Sequence, residues 1–517
     1  MRAPAGAVQG ANEGALRVFK GIPFAAPPTG PARWRPPSPA PHWHGVRQAR
    51  DYGPACPQLR ARMNSVYASD IGAIAEDCLS LNIWTPANAR NAPVFVWIYG
   101  GALTSGASKE MLYDGARLAS RGVVVVSINY RVGVLGFLAH SELSAEAPTG
   151  VSGNYGLLDQ IEALRWIKRN IGAFGGDASN VTIAGESAGG LSVMYLMAAP
   201  DARGLFAKAI AQSAYMISAP TLRESRHGLP SAEESGARLL AALNAPSIAA
   251  LREMDALALV EAVAGKGYAP LPTVDGRVVP RQIVEALDRG EQAPVPLIAG
   301  FNSGEIRTLT VLAPPAPESA GAYEAAIRER YGALADTFLR LYPSANMQES
   351  IYAATRDGLY GWTAERLAKK QTTRGAPAYL YLFDHGYPAA EAAGLHAFHA
   401  AELPYVFGNL ERTPPHWPRI EATAHERRFS DAMIAYWTSF ARSGVPSADG
   451  EADWPAYGSN GAYMRFADRP QAESDLYPGM YALFEEVVCR RRASGDAPWH
   501  WNHGLASPQV PATPCPQ

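Results

Sequence analysis

The sequence predicts an α/β protein in which helices cover both faces of a mainly parallel central sheet. Two observations predict this fold class. Short buried strands alternate with helices from about residue 93 onwards, and a glycine-flanked serine lies between one such strand and the next helix. A chain of 517 residues is long for one domain, but insertions in a single large sheet account for that length. We therefore expect one domain over residues 1–517.

The predicted strands are short apolar runs rich in β-branched and aromatic residues. They cover residues 94–98, 123–128, 181–184, 295–299 and 378–383. Apolar residues at helical spacing predict helices over about 156–171 and 191–197. Two further segments, about 220–290 and 314–375, are rich in alanine, glutamate and leucine. We expect them to be helical insertions that form a cap over the C-terminal edge of the sheet.

The composition is that of a soluble globular protein, 47% hydrophobic and 18% charged, with a formal net charge of −2. This balance does not indicate nucleic-acid binding. The sequence has no run of about 18 apolar residues, so it predicts no membrane span. Residues 1–6 contain no apolar signal core. The chain is therefore expected to be either cytoplasmic or an exported protein without its leader.

The spacing of the cysteines favours the exported form. Cys56 and Cys78 are close in sequence, as are Cys489 and Cys515, and no Cys-x-x-Cys pair indicates zinc or redox chemistry. Two local disulfides are the simplest interpretation, and disulfides persist in oxidising compartments. Four reduced, buried cysteines in a cytosolic enzyme are the alternative.

Ser187 is the predicted centre of the chemistry. It lies in the segment 185–189 (GESAG), after the strand 181–184 and before a helix. This is the context of a nucleophile elbow, a strained turn in which side chains at the flanking positions would collide with neighbouring backbone. The pattern predicts a serine hydrolase with an α/β-hydrolase fold.

An oxyanion hole near that serine needs free backbone N–H groups. The N–H of Ala188, at the start of the helix, is one candidate donor. The glycine-rich turn 99–102 (YGGA) directly follows the strand 94–98 and supplies others.

A serine nucleophile also needs a histidine base and a carboxylate that orients it, in the chain order nucleophile, acid, histidine. Three histidines that follow strands are candidates for the base: His385, His396 and His399. For the acid, Glu305 lies just past a predicted strand, and three competitors remain: Asp275, Asp384 and Glu402.

Four ordered segments are long and specific enough to compare with known families. They are residues 19–28 (FKGIPFAAPP), 76–82 (EDCLSLN), 153–160 (GNYGLLDQ) and 185–190 (GESAGG). They resemble motifs of the type-B carboxylesterase and cholinesterase family, and in particular of its bacterial, para-nitrobenzyl-esterase-like members. The resemblance covers nearly the whole chain and implies an α/β-hydrolase fold that hydrolyses carboxylic esters.

The resemblance also implies which residues form the triad with Ser187. The segment 302–306 (NSGEI) is similar to the family's acid-bearing segment at three of five positions, which implies Glu305. The segment 399–408 (HAAELPYVFG) matches the family's histidine segment, which implies His399. The implied oxyanion donors are the N–H groups of Gly101, Ala102 and Ala188.

Other residues have roles implied less directly. Glu186 resembles a buried family glutamate that tunes the charge of the site, and Ser213 resembles a serine behind the triad; simple packing is the alternative for both. Leu103 and Tyr215 are expected pocket walls, again with core packing as the alternative.

The family's first disulfide corresponds to Cys56–Cys78, whereas Cys489 and Cys515 match no family feature.

The expected reaction is two-step ester hydrolysis through an acyl-enzyme on Ser187, with no metal or organic cofactor. The default substrate is a small or medium-sized ester. One alternative is an esterase for a bulky or polyanionic ester, such as a fumonisin-type tricarballylate ester, or for a polyester; another is a non-catalytic cholinesterase-like binding protein. Specificity for a polyanion would require Arg or Lys at the pocket mouth. We expect a bacterial enzyme, secreted or periplasmic, that is a monomer or weak homo-oligomer and has no nucleic-acid partner.

Overall fold

The computed structural model describes residues 1–61, 64–495, 497–500 and 503–515. This part of the chain contains short and long strands distributed over its whole length. Their bounds are β1 (Arg2–Ala3), β2 (Gly6–Gln9), β3 (Ala11–Glu13), β4 (Leu16–Pro23), β5 (Val46–Gln48), β6 (Ser80–Pro86), β7 (Ala92–Ile98), β8 (Val124–Ile128), β9 (Gly176–Glu186), β10 (Lys208–Gln212), β11 (Leu297–Asn302), β12 (Ala378–Phe383), β13 (Ala462–Phe466) and β14 (Pro470–Ser474).

Helices separate most of the strands after β7. They are α1 (Ala116–Ala119), α2 (Gly133–Phe137), α3 (Ser141–Glu146), α4 (Tyr155–Asn170), α5 (Ala188–Ala198), α6 (Ala232–Ala242), α7 (Ile248–Arg252), α8 (Ala256–Val263), α9 (Ile283–Asp288), α10 (Ala320–Tyr331), α11 (Ala335–Leu341), α12 (Met347–Arg356), α13 (Trp362–Thr373), α14 (Pro388–Ala392), α15 (Leu403–Phe407), α16 (Ala424–Ser443) and α17 (Met480–Ser494). A π-helix, Asp357–Gly361, joins α12 to α13.

Eleven of the described strands form one sheet, in the order β14-β13-β12-β11-β10-β9-β7-β8-β6-β4-β3. The strands from β13 to β8 in that order are parallel, and the remaining strands pair antiparallel with their neighbours. Strands β1, β2 and β5 form a separate small sheet. Because β7, β9 and β10 are adjacent and parallel, their C-terminal ends bring Ile98, Glu186 and Gln212 to the same edge of the sheet.

The structure confirms the predicted fold class and the elements that define it. Strand β12 has the predicted bounds, the strand predicted at 181–184 is part of the longer β9, and the two predicted helices are α4 and α5. The strand predicted from residue 295 begins instead at Leu297. Pro296 precedes it, and proline has no N–H group to donate to the sheet.

The two predicted insertions differ in where they pack. Residues 220–290 contain α6 to α9, and α6, α7 and α8 pack in a second apolar core with Trp34 and Leu138. Residues 314–375 contain α10 to α13 and the π-helix, which contributes Leu359 and Tyr360 to the cavity described below. That these insertions form a cap on a single domain stays a prediction.

Two disulfides join the cysteine pairs that the spacing predicts, Cys56–Cys78 and Cys489–Cys515. Both bonds are consistent with an extracellular or periplasmic location. In the described ranges, none of the helices has the length and apolarity needed to cross a membrane.

A buried ion pair ties α4 to the turn that follows β8. Arg131 Nε and Nη2 each donate to a carboxylate oxygen of Asp159 at 2.8 Å, and the backbone N–H of Arg131 donates to the same carboxylate at 3.0 Å. Both side chains are almost fully buried. Burial raises the pKa of Asp159, and the Arg131 guanidinium opposes that effect.

We predict that D159N lowers the free energy of unfolding by about 3–5 kcal/mol, because it leaves the buried guanidinium of Arg131 without its counter-charge. The matched control is D336N, which removes the exposed carboxylate that pairs with Arg328. It should lower the free energy of unfolding by less than about 1 kcal/mol. Urea unfolding followed by tryptophan fluorescence measures both. Equal stability of the two variants would contradict the prediction.

Candidate active site

Ser187 lies at a sharp turn between β9 and α5. Its backbone has φ 56° and ψ −122°, a conformation that costs energy for any residue with a side chain. A Cβ atom on Gly189 would lie 2.0 Å from the carbonyl oxygen of Ile98, and one on Gly185 would lie 2.5 Å from the backbone of Gly189. The glycines are therefore required by close backbone packing, as the sequence predicts for an elbow.

The turn after β7 places a second set of backbone groups beside Ser187. Gly101, Ala102 and Leu103 have φ values of 101°, 54° and 60°. Gly101 and Ala102 are exposed and line the same cavity as Ser187. Within the described residues, the N–H groups of Gly101, Ala102 and Ala188 donate to no protein acceptor. Two of these residues, Gly101 and Ala102, line the cavity, and Ala188 directly follows Ser187.

The structure brings His399 and Glu305 into direct contact, through Nδ1 of His399 and Oε2 of Glu305. The other carboxylate oxygen of Glu305 accepts hydrogen bonds from the backbone N–H of Asn302 (2.8 Å) and the hydroxyl of Ser213 (2.7 Å). Glu305 has no exposed surface, so these bonds satisfy its carboxylate and hold it in one orientation. Ser213 thus contacts the carboxylate oxygen of Glu305 that is not bonded to His399.

The competing acids and bases contact other partners. His385 is bonded to Glu426, His396 to Asp384 and Glu391, Asp275 to Asn154, and Glu402 to Gln212 and Asn302. The pair His396–Asp384 has the chemistry of a base and an acid, but neither residue is among the described residues that line the cavity with Ser187.

Glu186 lies at Nε2 of the His399 imidazole, the ring nitrogen that Glu305 does not contact. Its Oε1 is 3.1 Å from Nε2 of His399, within ion-pair distance, but the angles do not form a hydrogen bond. The Ser187 hydroxyl makes no hydrogen bond to His399 in the described structure, and in unliganded hydrolases that contact is often loose until substrate binds. Nε2 therefore has a carboxylate neighbour in this conformation.

Charges around the imidazole change the pKa values of both groups. Burial lowers the pKa of His399, but the carboxylates of Glu186 and Glu305 outweigh burial and raise it from 6.5 to about 9. Burial raises the pKa of Glu186 from 4.5 to about 8, although the imidazolium of His399 opposes that shift. The two carboxylates therefore stabilise the imidazolium, the form that His399 takes when it accepts a proton.

A cavity of about 550 Å³ opens over Ser187 and His399. Its wall is mainly apolar and aromatic, which is usual for sites that bind small organic molecules. Tyr215 lies in this wall, as predicted. Leu103 does not: it is 1% exposed and packs in the main hydrophobic core, so its predicted place in the wall is wrong.

Two tyrosines that the sequence analysis did not identify contact His399. The hydroxyl of Tyr67 donates to the carbonyl oxygen of His399 (3.0 Å) and lies 2.6 Å from the hydroxyl of Thr308. The ring of Tyr360, on the π-helix, lies 5.4 Å from the imidazole. The only feature of the sequence that points to Tyr67 is its position in the loop between Cys56 and Cys78.

The parallel sheet with its serine elbow defines the class as the α/β-hydrolase fold. Solved structures agree: a para-nitrobenzyl esterase superposes with a TM-score of 0.80 at 32% identity, covering 93% of this chain and 98% of the other. A Geobacillus stearothermophilus carboxylesterase gives a TM-score of 0.74 at 32% identity, covering 93% of this chain and 99% of its own.

Sequence comparison identifies the family. Residues 1–484 match the model of the carboxylesterase family. Fumonisin B1 esterase of Sphingopyxis macrogoltabida is 37% identical over 478 residues, which are 90% of this chain and 85% of the relative. Para-nitrobenzyl esterase of Bacillus subtilis is 36% identical over 463 residues, 87% of this chain and 91% of the relative. The chain belongs to the carboxylesterase family and is a carboxylic ester hydrolase.

We predict that E186Q shifts the titration of His399 to lower pH, because it removes a carboxylate that stabilises the imidazolium. NMR of protein labelled with ¹⁵N-histidine measures this shift, with the signal of His399 assigned through H399Q. The matched control is E391Q, which removes a carboxylate from His396 and should leave His399 unchanged. An unchanged or raised pKa of His399 in E186Q would refute the electrostatic explanation.

Proposed function

We propose that Ser187 is the nucleophile of this ester hydrolase, with His399 as its general base and Glu305 as the carboxylate that orients the base. The observation that carries the proposal is the contact between buried Glu305 and Nδ1 of His399 in the wall of the cavity that also contains Ser187. Nε2 of the same ring lies 3.1 Å from Oε1 of Glu186, the residue that precedes Ser187.

The proposed reaction has two steps. His399 takes the proton of the Ser187 hydroxyl as its oxygen attacks the ester carbonyl, and the N–H groups of Gly101, Ala102 and Ala188 bind the oxyanion. The carbon–oxygen bond to the alcohol then breaks, and His399 gives its proton to the leaving alkoxide. Water, deprotonated by the same imidazole, releases the acid and restores Ser187. Glu305 stabilises the imidazolium in both steps.

The proposed substrate is a small or medium-sized ester, which suits an apolar cavity of about 550 Å³. An esterase specialised for a bulky or polyanionic ester is the second candidate, because a relative at 37% identity is named fumonisin B1 esterase. A non-catalytic binding protein is not favoured, since the named relatives are esterases and the groups that hydrolysis needs are present here.

The two disulfides support a secreted or periplasmic enzyme. We further propose that it acts as a monomer or weak homo-oligomer.

We predict that S187A keeps the fold and loses hydrolysis of p-nitrophenyl butyrate by about 10⁶-fold in kcat, because no other group replaces the attacking oxygen. Release of p-nitrophenol measures the rate, and circular dichroism checks the fold. Activity of S187A within about tenfold of the unsubstituted enzyme would refute the assignment.

The assignment of Glu305 has its own test in a matched pair of buried glutamates. E305Q should lower kcat by about 10³–10⁴-fold, because a neutral amide neither stabilises the imidazolium nor selects its tautomer. E402Q should keep kcat within about tenfold, since Glu402 contacts Gln212 and Asn302 rather than His399. The reverse order of the two effects, with both variants folded, would make Glu402 the acid.

A further inference from the structure

The charge of the cavity wall bears on which esters the cavity accepts. We infer that it selects against esters that carry a carboxylate and accepts uncharged or ammonium-bearing esters, and that Glu110 is the residue that sets this specificity. The inference rests on the proposed function, because it places the substrate in the cavity beside Ser187.

The ionisable groups of the wall are acids and phenols, with a single base. Among the described lining residues, the carboxylates are Glu110 and Glu186, and no lysine or arginine is present. The one basic group is His399, whose imidazole already lies between Glu186 and Glu305. The described wall therefore has no cation free to pair with a substrate carboxylate.

Basic side chains near the mouth are held by other partners. Lys109 Nζ donates to the carbonyl oxygens of Gly53 (3.3 Å) and Ala73 (3.2 Å). Arg60 donates to the carbonyl of Gly72, and Arg307 is paired with Glu349 at 2.8 Å. Arg62 lies outside the described residues.

Glu110 is held in the wall by its own backbone surroundings rather than by a counter-ion. Its Oε1 accepts a hydrogen bond from the N–H of Ala107 at 3.0 Å, and no cation of the described chain is among the groups that act on its carboxyl. The polar groups near it are hydroxyls: that of Ser69, and those of Tyr99, Tyr113 and Tyr130, whose pKa values its charge raises. When this carboxyl is ionised, no cation of the described chain therefore pairs with it.

The carboxylates of Glu110 and Glu186 both influence the electrostatics around Tyr113 in the cavity wall. Tyr113 also lines it, and after burial the carboxylates of Glu110 and Glu186 are the largest causes that raise the pKa of its hydroxyl. Oε1 of Glu186, on a side chain that is 4% exposed, has no hydrogen-bond partner. Glu186 has the imidazole of His399 beside it, whereas Glu110 has no cationic partner in the described chain, so the charge of Glu110 would stabilise a substrate cation and repel an anion.

The protonation of Glu110 makes this selection depend on pH. Burial raises the pKa of Glu110 from 4.5 to about 7, and the hydrogen bond from Ala107 opposes that shift. Raising the pH from 6 to 8 ionises the carboxyl and should strengthen the rejection of anions. Titration of His399 and Glu186, which also line the cavity, changes the charge of the wall as well, so the contribution of Glu110 is the part of the pH dependence that a substitution of Glu110 removes.

The test uses three p-nitrophenyl esters of similar acyl length: the hexanoate, the anionic hemiglutarate and the cationic 5-(trimethylammonio)pentanoate. For the unsubstituted enzyme, kcat/KM for the hemiglutarate should be lower than for the hexanoate by at least about tenfold at pH 8. This deficit in kcat/KM of the hemiglutarate relative to the hexanoate should be smaller at pH 6. At pH 8, kcat/KM for the cationic ester should be at least as high as for the hexanoate.

The variant E110Q tests whether Glu110 sets the specificity for the charge of the ester. It keeps the shape of the side chain and should reduce the deficit of the anionic ester relative to the hexanoate at pH 8 by about tenfold. The matched control is D70N, which removes an exposed carboxylate near the mouth that is not part of the wall and should leave the ratio unaltered. If E110Q does not fold, E110A takes its place, with the same expected reduction of the deficit.

The outcomes separate this inference from the proposed function. Equal hydrolysis of the anionic and neutral esters, or an unchanged ratio in E110Q, would overturn the inference and leave the role of Ser187 intact. Hydrolysis of the hexanoate that survives in S187A would overturn the proposed function itself. Preference for the anionic ester would favour the polyanion-specific candidate.

Discussion

The placement of the site depends on one buried carboxylate. A glutamate without exposed surface is costly unless both its oxygens are bonded, and Glu305 meets this condition through Asn302, Ser213 and His399. Two of these partners come from the ends of β10 and β11, which are parallel neighbours in register. The pairing of those two strands therefore decides where the carboxylate lies, and the carboxylate in turn decides the orientation of the imidazole.

The serine is placed by a second constraint, which is close backbone packing. β7 and β9 are adjacent, and the turn after β9 passes so near Ile98 that side chains at positions 185 and 189 have no space. The strained backbone of Ser187 persists because the surrounding sheet and α5 hold it. The same approach brings the turn at 100–102 beside the serine, so that one packing contact explains both the elbow and the free N–H groups.

Sequence reasoning could predict much of this arrangement because its signals are local. Hydrophobic runs and the GESAG segment sufficed for the fold class, the strands and the elbow. The choice of His399 and Glu305 among several candidates needed family resemblance, since it depends on contacts between residues far apart in the chain. The π-helix that carries Tyr360, the inward burial of Leu103 and the absence of lysine and arginine from the described cavity wall depend on tertiary packing, which residue patterns do not encode.

The central claim, that Ser187 performs the attack, is tested most directly by covalent capture. A fluorophosphonate reacts with an activated serine, and peptide mass spectrometry then locates the adduct. We expect one adduct per chain, on the peptide that contains Ser187, with loss of ester hydrolysis in proportion to labelling. Loss of activity with the adduct on a different residue, or full labelling of Ser187 with hydrolysis retained, would contradict the account.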